Sequence, residues 1–141
     1  MNKMEEAIEA LIRKRGGKPL SVLIIDDEPG VRDVFREFCQ SSAHFQVMTA
    51  TGGLEAIDLV ARHDFDIVTM DLVMPEMSGL EAIETIKRQK PHLPVVIVTG
   101  NATDALVREA GRLGGCRVLK KPVGIHQFLH ELADLAQEKY G

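Results

Sequence analysis

Val22-Leu23-Ile24-Ile25-Asp26-Asp27-Glu28 sets four apolar, β-favouring residues directly before three carboxylates. The run is strand-sized and no polar residue alternates through it, so both faces of the strand should be buried. Four more apolar runs follow, near 45–49, 66–70, 95–98 and 116–119. A helical pattern follows each strand, near 30–42, 53–63, 79–89, 102–113 and 124–138. The last is the plainest, with Ile125, Phe128, Leu129, Leu132, Leu135 and Ala136 on one face. Ser78-x-x-Glu81 is a capping box opening the helix near 79–89. Five β-α units with nearly continuous apolar strands predict an α/β fold, a doubly wound (βα)5 unit with a parallel sheet covered on both faces.

Residues 1–18 stand apart as an N-terminal amphipathic helix and linker, leaving 19–141 as one domain. Met4, Ile8, Leu11 and Ile12 make a helical stripe. Glu5 and Glu6 lie in its first turn and Arg13, Lys14 and Arg15 in its last, an order that suits the helix dipole. Gly16-Gly17 then ends it. The stripe has three ways to be buried: on its own domain, in a homodimer, or against a partner. The basic run with Lys18 reads as a solvated helix end.

Composition narrows the function. The chain has 141 residues, 45% hydrophobic and 27% charged, close to the globular average, which allows one sizeable core. Its 21 acidic against 17 basic residues give a net charge of −4, so no direct nucleic-acid binding is expected. With no Trp and one Tyr, a flavin or base-stacking site would be short of aromatics. No apolar stretch reaches the roughly 20 residues of a membrane span. The acidic start, with Glu5, Glu6 and Glu9, has no apolar signal core. Cys39 and Cys116 read as small buried thiols in a reducing cytoplasm, and there is no Cys-x-x-Cys pair. His126 and His130 are four apart, but no third ligand supports a metal there.

In open α/β sheets, ligands bind outside the carboxyl ends of the strands. Asp26, Asp27 and Glu28 follow the first strand, Asp71 the third, Thr99 the fourth, and Lys120 and Lys121 the fifth. All should meet at one mouth. Clustered carboxylates repel unless a hard divalent cation sits among them, and Mg²⁺ is the usual one. A cation facing an ammonium and a hydroxyl suits a dianion such as phosphate. Gly-x-x-x-x-Gly-Lys-Ser/Thr is absent, so a nucleotide held in a P-loop is not expected. A central carboxylate can itself be the nucleophile and form an acyl phosphate.

Ile25-Asp26-Asp27-Glu28-Pro29, the stretch from Asp71 to Glu81, Val98-Thr99-Gly100 and Lys121-Pro122 together resemble the response-regulator receiver domain of two-component signalling, over about residues 20–138. The stretch from Ala50 to Ala56 resembles the family's entry to its second helix. The resemblance implies a flavodoxin-like sheet in the order 2-1-3-4-5. It implies Asp71 as phosphoacceptor, served by a sensor histidine kinase or a histidine phosphotransfer protein, and a downstream protein target. Asp27 would ligate Mg²⁺ directly and Asp26 through water, with Asp71 and the backbone carbonyl of Val73 completing the protein's share. Thr99 would hydrogen-bond the phosphoryl group and Lys121 would pair with it, next to a Lys-Pro bond that is often cis in the family. The family's switch aromatic is replaced by Val118. Such a protein is a regulatory phosphoacceptor that assists its own transfer and dephosphorylation rather than an enzyme, and it is cytoplasmic. The alternatives are a receiver excised from a longer regulator, an aspartyl-phosphate hydrolase and a flavodoxin-like electron carrier. The hydrolase lacks a general acid two residues past its nucleophile, because Val73 stands there. The electron carrier lacks its phosphate loop and aromatic walls.

Overall fold

Each strand lies within two residues of its apolar run at either end, with the fifth shifted one residue on so that it starts at Arg117 and ends at Lys120. The computed structural model describes residues 2–40, 43–72, 77–100, 103–114 and 116–141. In chain order these form α1 (Lys3–Lys14), β1 (Leu20–Ile25), α2 (Pro29–Gln40), β2 (Phe45–Ala50), α3 (Gly53–Arg62), β3 (Ile67–Met70), α4 (Gly79–Gln89), β4 (Val95–Thr99), α5 (Asp104–Arg112), β5 (Arg117–Lys120) and α6 (Ile125–Tyr140). All strand pairs are parallel, in the order β2-β1-β3-β4-β5. The expected doubly wound sheet is therefore the one observed.

Alternation along each strand divides the core into two layers. Leu20, Val22 and Ile24 of β1 face α1, α2 and α6, and meet Phe35, Phe128 and Leu132 there. Leu23 and Ile25 face the other side, with Ala56, Ile83 and Ala110 of α3, α4 and α5. Phe35 stacks on Phe128 with ring centroids 4.7 Å apart, joining α2 to α6. The capping box is present: the Ser78 hydroxyl accepts the Glu81 N–H at 3.1 Å. Thr103 caps α5 in the same way, through Leu106 N–H.

The apolar stripe of α1 is buried on this chain's own core. Ile8 is 4% exposed and Leu11 2%, and Met4 and Ile12 pack at the edge of the same cluster. The Gln137 side chain of α6 donates to the Ala7 carbonyl at 3.1 Å. Arg15, at the end of α1, is not the solvated residue expected from the sequence. Its guanidinium lies 3.1 Å from the buried Asp66 carboxylate and 4.6 Å from the centre of the Tyr140 ring. Asp66 also accepts the Ser21 N–H at 2.7 Å and the Tyr140 hydroxyl. One carboxylate at the start of β3 thus ties together the end of α1, the start of β1 and the end of α6. Arg117 makes a second tie, from β5 to Glu131, Asp134 and Glu138 of α6.

Two predictions follow from this packing. Leu11→Ala should lower stability by about 2–4 kcal/mol, as for a core leucine, within a single unfolding transition. A loss below about 0.5 kcal/mol in a denaturant titration would mean that α1 is a loosely seated tail. Cys39 and Cys116 are both buried and free, and burial pushes the Cys39 thiol up to about 12. Neither should react with a thiol reagent at pH 8 until the protein unfolds. Rapid labelling of the native protein would contradict that.

Candidate functional site

The site is built from what each strand does at its carboxyl end. Asp26 follows β1 and Asp71 follows β3, on neighbouring strands. Their backbones are stitched into the ladder: Asp71 N–H donates to the Ile25 carbonyl at 3.0 Å, and Asp26 N–H to Ala50 at 3.2 Å. Thr99 ends β4 and Lys121 follows β5, with Lys121 N–H donating to the Thr99 carbonyl at 2.8 Å. The mouth is therefore set by sheet register and not by mobile side chains.

The Lys121 ammonium lies 3.2 Å from Asp26 Oδ2 and 3.3 Å from Asp71 Oδ2. Asp26 is 2% exposed, Asp71 7% and Thr99 2%. Asp27 is the least buried of the acidic trio. Asp26 has further support that the sequence did not suggest. Its other carboxylate oxygen accepts the Glu28 N–H at 3.0 Å, and the Arg32 guanidinium donates to its backbone carbonyl at 2.7 Å. One oxygen from each of Asp26, Asp27 and Asp71 lies within 4.8 Å of the others, the only such acidic, histidine or cysteine group among the described residues. A donor set of hard carboxylate oxygens suits Mg²⁺ and not a soft metal. His126 and His130 are exposed and form no such group.

Charge balance explains the protonation tendencies. Burial raises the Asp26 pKa and the Asp71 charge adds to this, against the lowering effect of the Glu28 N–H and of Lys121. For Lys121, burial by itself would lower the pKa. The Asp26 and Asp71 carboxylates together outweigh it, and the ammonium is held above its ordinary range.

The remaining expected positions are distributed as follows. Val73 lies outside the described residues. Val118 is half-buried in β5 beside Ile97 and packs toward the α3–α4–α5 layer. Lys120 is exposed. The Lys121–Pro122 bond is cis. Sequence reasoning missed Gly79, whose N–H donates to the Leu72 carbonyl at 3.1 Å. A Cβ there would stand 2.6 Å from Leu72 Cα and 3.0 Å from the Asp71 carbonyl oxygen, so only glycine lets α4 start against the segment that leaves Asp71.

Residues 22–133 match the response regulator receiver domain family, and the chain belongs to that family. It is 34% identical over 117 residues to the polar-differentiation response regulator DivK of Brucella anthropi, a match that covers 81% of this chain and 94% of DivK. Among solved structures it resembles the chemotaxis protein CheY4 of Vibrio cholerae, with a TM-score of 0.78 and 26% identity over 84% of this chain and 99% of that one. A CheY-like receiver domain from Methanospirillum hungatei shares the fold, with a TM-score of 0.82 and 23% identity over 88% of this chain and 100% of that one.

In metal-free protein, Asp26→Asn should keep an acceptor for the Glu28 N–H while removing one negative charge from the mouth. Because the folded-state pKa of Asp26 is raised, its charge costs stability above that pKa. Asp26→Asn is expected to raise the thermal unfolding midpoint by a few degrees at neutral pH. The gain should shrink as pH falls through the raised value toward 3.8, where the unfolded aspartate also protonates. Thermal scans at stepped pH check this, and an unfolding midpoint lowered at neutral pH would contradict it.

Proposed function

We propose that this protein is a phosphorylation-dependent response-regulator receiver whose phosphoacceptor is Asp71. What supports the reading is one convergence: the Lys121 ammonium within 3.3 Å of both Asp26 and Asp71, at the mouth where the acidic trio meets. A structural ion pair needs one carboxylate, and an aspartate trio with one ammonium suits an entering cation and phosphoryl group better. Residues 19–141 are then the receiver, and 1–18 an appended helix and linker.

In the proposed step, an Asp71 carboxylate oxygen attacks the phosphorus of a phosphohistidine in line. The new P–O bond forms as the P–N bond breaks. The electron pair leaves with the imidazole nitrogen, which takes up a proton. Asp27 would hold Mg²⁺ directly and Asp26 through water, joined by Asp71 and the Val73 carbonyl. The metal would supply countercharge to the phosphoryl oxygens. Lys121 exchanges its Asp71 contact for a phosphoryl oxygen as a point charge, and the Thr99 hydroxyl donates to another. Movement of Thr99 and the residues after it then shifts the surface formed by α5, β5 and α6. The donor is a sensor histidine kinase or a histidine phosphotransfer protein, and the product binds a downstream protein or passes the phosphoryl group on. A cytoplasmic site of action accords with two free, buried thiols.

The test is incubation with a small-molecule phosphodonor and Mg²⁺, read by intact mass. The mass should rise by one phosphoryl group, and either Asp71→Asn or a chelator should abolish the gain. An Asp71→Asn protein that labels as well as wild type would remove Asp71 from the role.

A further inference from the structure

Arg32 stands where its own helix disfavours it. It is the fourth residue of α2, which has no acidic residue in its first turn, so a cation there faces the positive end of the helix dipole. A contact across the turn from β1 to α2 offsets this: one guanidinium nitrogen donates to the Asp26 backbone carbonyl at 2.7 Å. The turn is tied at its other polar groups as well. Asp26 N–H donates to the Ala50 carbonyl, and the Asp26 carboxylate takes the Glu28 N–H on one oxygen and the Lys121 ammonium on the other. Arg32 N–H donates to the Glu28 carbonyl at 3.0 Å. The Arg32 side chain therefore supplies the constraint that these bonds lack, on the Asp26 carbonyl.

That carbonyl shares one planar, rigid peptide unit with the Asp27 N–H, so fixing it fixes the direction in which the chain enters Asp27. Asp27 depends on this more than its neighbours do. It is the exposed member of the acidic trio, and among the described residues no side chain or backbone N–H holds its carboxylate. We propose that Arg32 is a positioning residue for the divalent cation: by holding the Asp26–Asp27 peptide it aims the Asp27 carboxylate at the point where the Asp26 and Asp71 oxygens converge. This rests on the reading above, in which Asp27 binds Mg²⁺ directly. Arg32 acts through the backbone, and its charge works the other way. A cation near three carboxylates opposes the entry of another, so by charge alone Arg32 weakens Mg²⁺ binding. The two effects have opposite signs, and substitution separates them.

The experiment titrates wild type, Arg32→Met and Arg36→Met with Mg²⁺ alone in a calorimeter, with no phosphodonor present. Arg32→Met keeps an unbranched apolar stem and removes both the donor and the charge. It should raise the dissociation constant for Mg²⁺ roughly two- to tenfold, the scale of one hydrogen bond. Arg36→Met is the control for charge. Arg36 lies one turn further along α2 and pairs with Asp33, so its loss takes the same charge from the helix without touching the turn. It should not raise the constant. The second readout is amide exchange at Glu28 in metal-free protein, which Arg32→Met should speed, because the carboxylate holding that N–H loses its backbone anchor. A constant unchanged in Arg32→Met gives Arg32 a purely structural role and overturns the proposal. A lowered constant makes the charge dominant and overturns it equally, as does a rise of the same size in Arg36→Met. If Arg32→Met fails to fold, Arg32→Lys keeps the charge but ends one bond short of the guanidinium nitrogen. It too should raise the constant, and a wild-type value there overturns the proposal. Wild type that takes up no Mg²⁺ would sink the metal reading and this proposal together. Labelling of Asp71→Asn would sink the phosphoacceptor reading alone, since the titration involves no transfer.

Discussion

Asp26 and Asp71 are brought together by a backbone that neither side chain would choose. Parallel β1 and β3 end side by side, and each delivers a carboxylate to the same small volume, with Asp27 beside them. Like charges so placed repel, and burial makes the charged forms costlier still. Lys121 is the compensation. It reaches both carboxylates from two strands beyond β3, and its own placement depends on the Lys121–Thr99 backbone bond across β4 and β5. Sheet register therefore fixes charges that, as free side chains, would separate. In the proposed reading, that is the preorganisation an incoming phosphoryl group would meet: the cost of assembly is met in folding and not at the moment of binding.

The opposite end of the sheet shows what a buried aspartate looks like when its surroundings satisfy it. Asp66 accepts from Ser21, Arg15 and Tyr140, and among the described residues shares these donors with no second carboxylate. The result is a tie between chain segments. Asp26 and Asp71 instead share the Lys121 ammonium, with the Glu28 N–H a further donor to Asp26. The contrast is between a carboxylate that gathers donors from three separate segments and a pair of carboxylates that meet at one cation.

This balance also explains what could be read from the sequence. Apolar runs and the polar residues after them are local signals. They locate β1, β3 and β4, and they put Asp26, Asp71, Thr99 and Lys121 at a common mouth before any coordinates are known. The capping pattern at Ser78 is equally local. Arg15 was legible only as a helix-end cation, since its partners Asp66 and Tyr140 lie far along the chain. Arg117 hides its three carboxylates for the same reason, as they lie a strand-to-helix connection away. Gly79 carries no side chain to read, and its meaning exists only once the start of α4 is packed against Leu72. The buried stripe of α1 was legible as a stripe, but the surface covering it was not, because amphipathicity states that a face must be buried and not where.

The same ties constrain how a change at the mouth could spread. α6 starts four residues after Lys121, yet it is held at its far end by Tyr140 on Asp66, along its length by Arg117, and on its inner face by Phe128 and Leu132. It also carries α1 through Gln137. Moving α6 as a body would break several of these contacts together, with polar groups at the Asp66 tie left buried and unpaired. α5 is held far less firmly, since Ala110 is its one buried residue among those described and its Val107 side chain is exposed. In the proposed reading, where Thr99 draws toward a phosphoryl group, the helix that follows β4 is thus the cheaper one to displace. α6, bound to α1, to Asp66 and to β5, is the frame against which that displacement is registered.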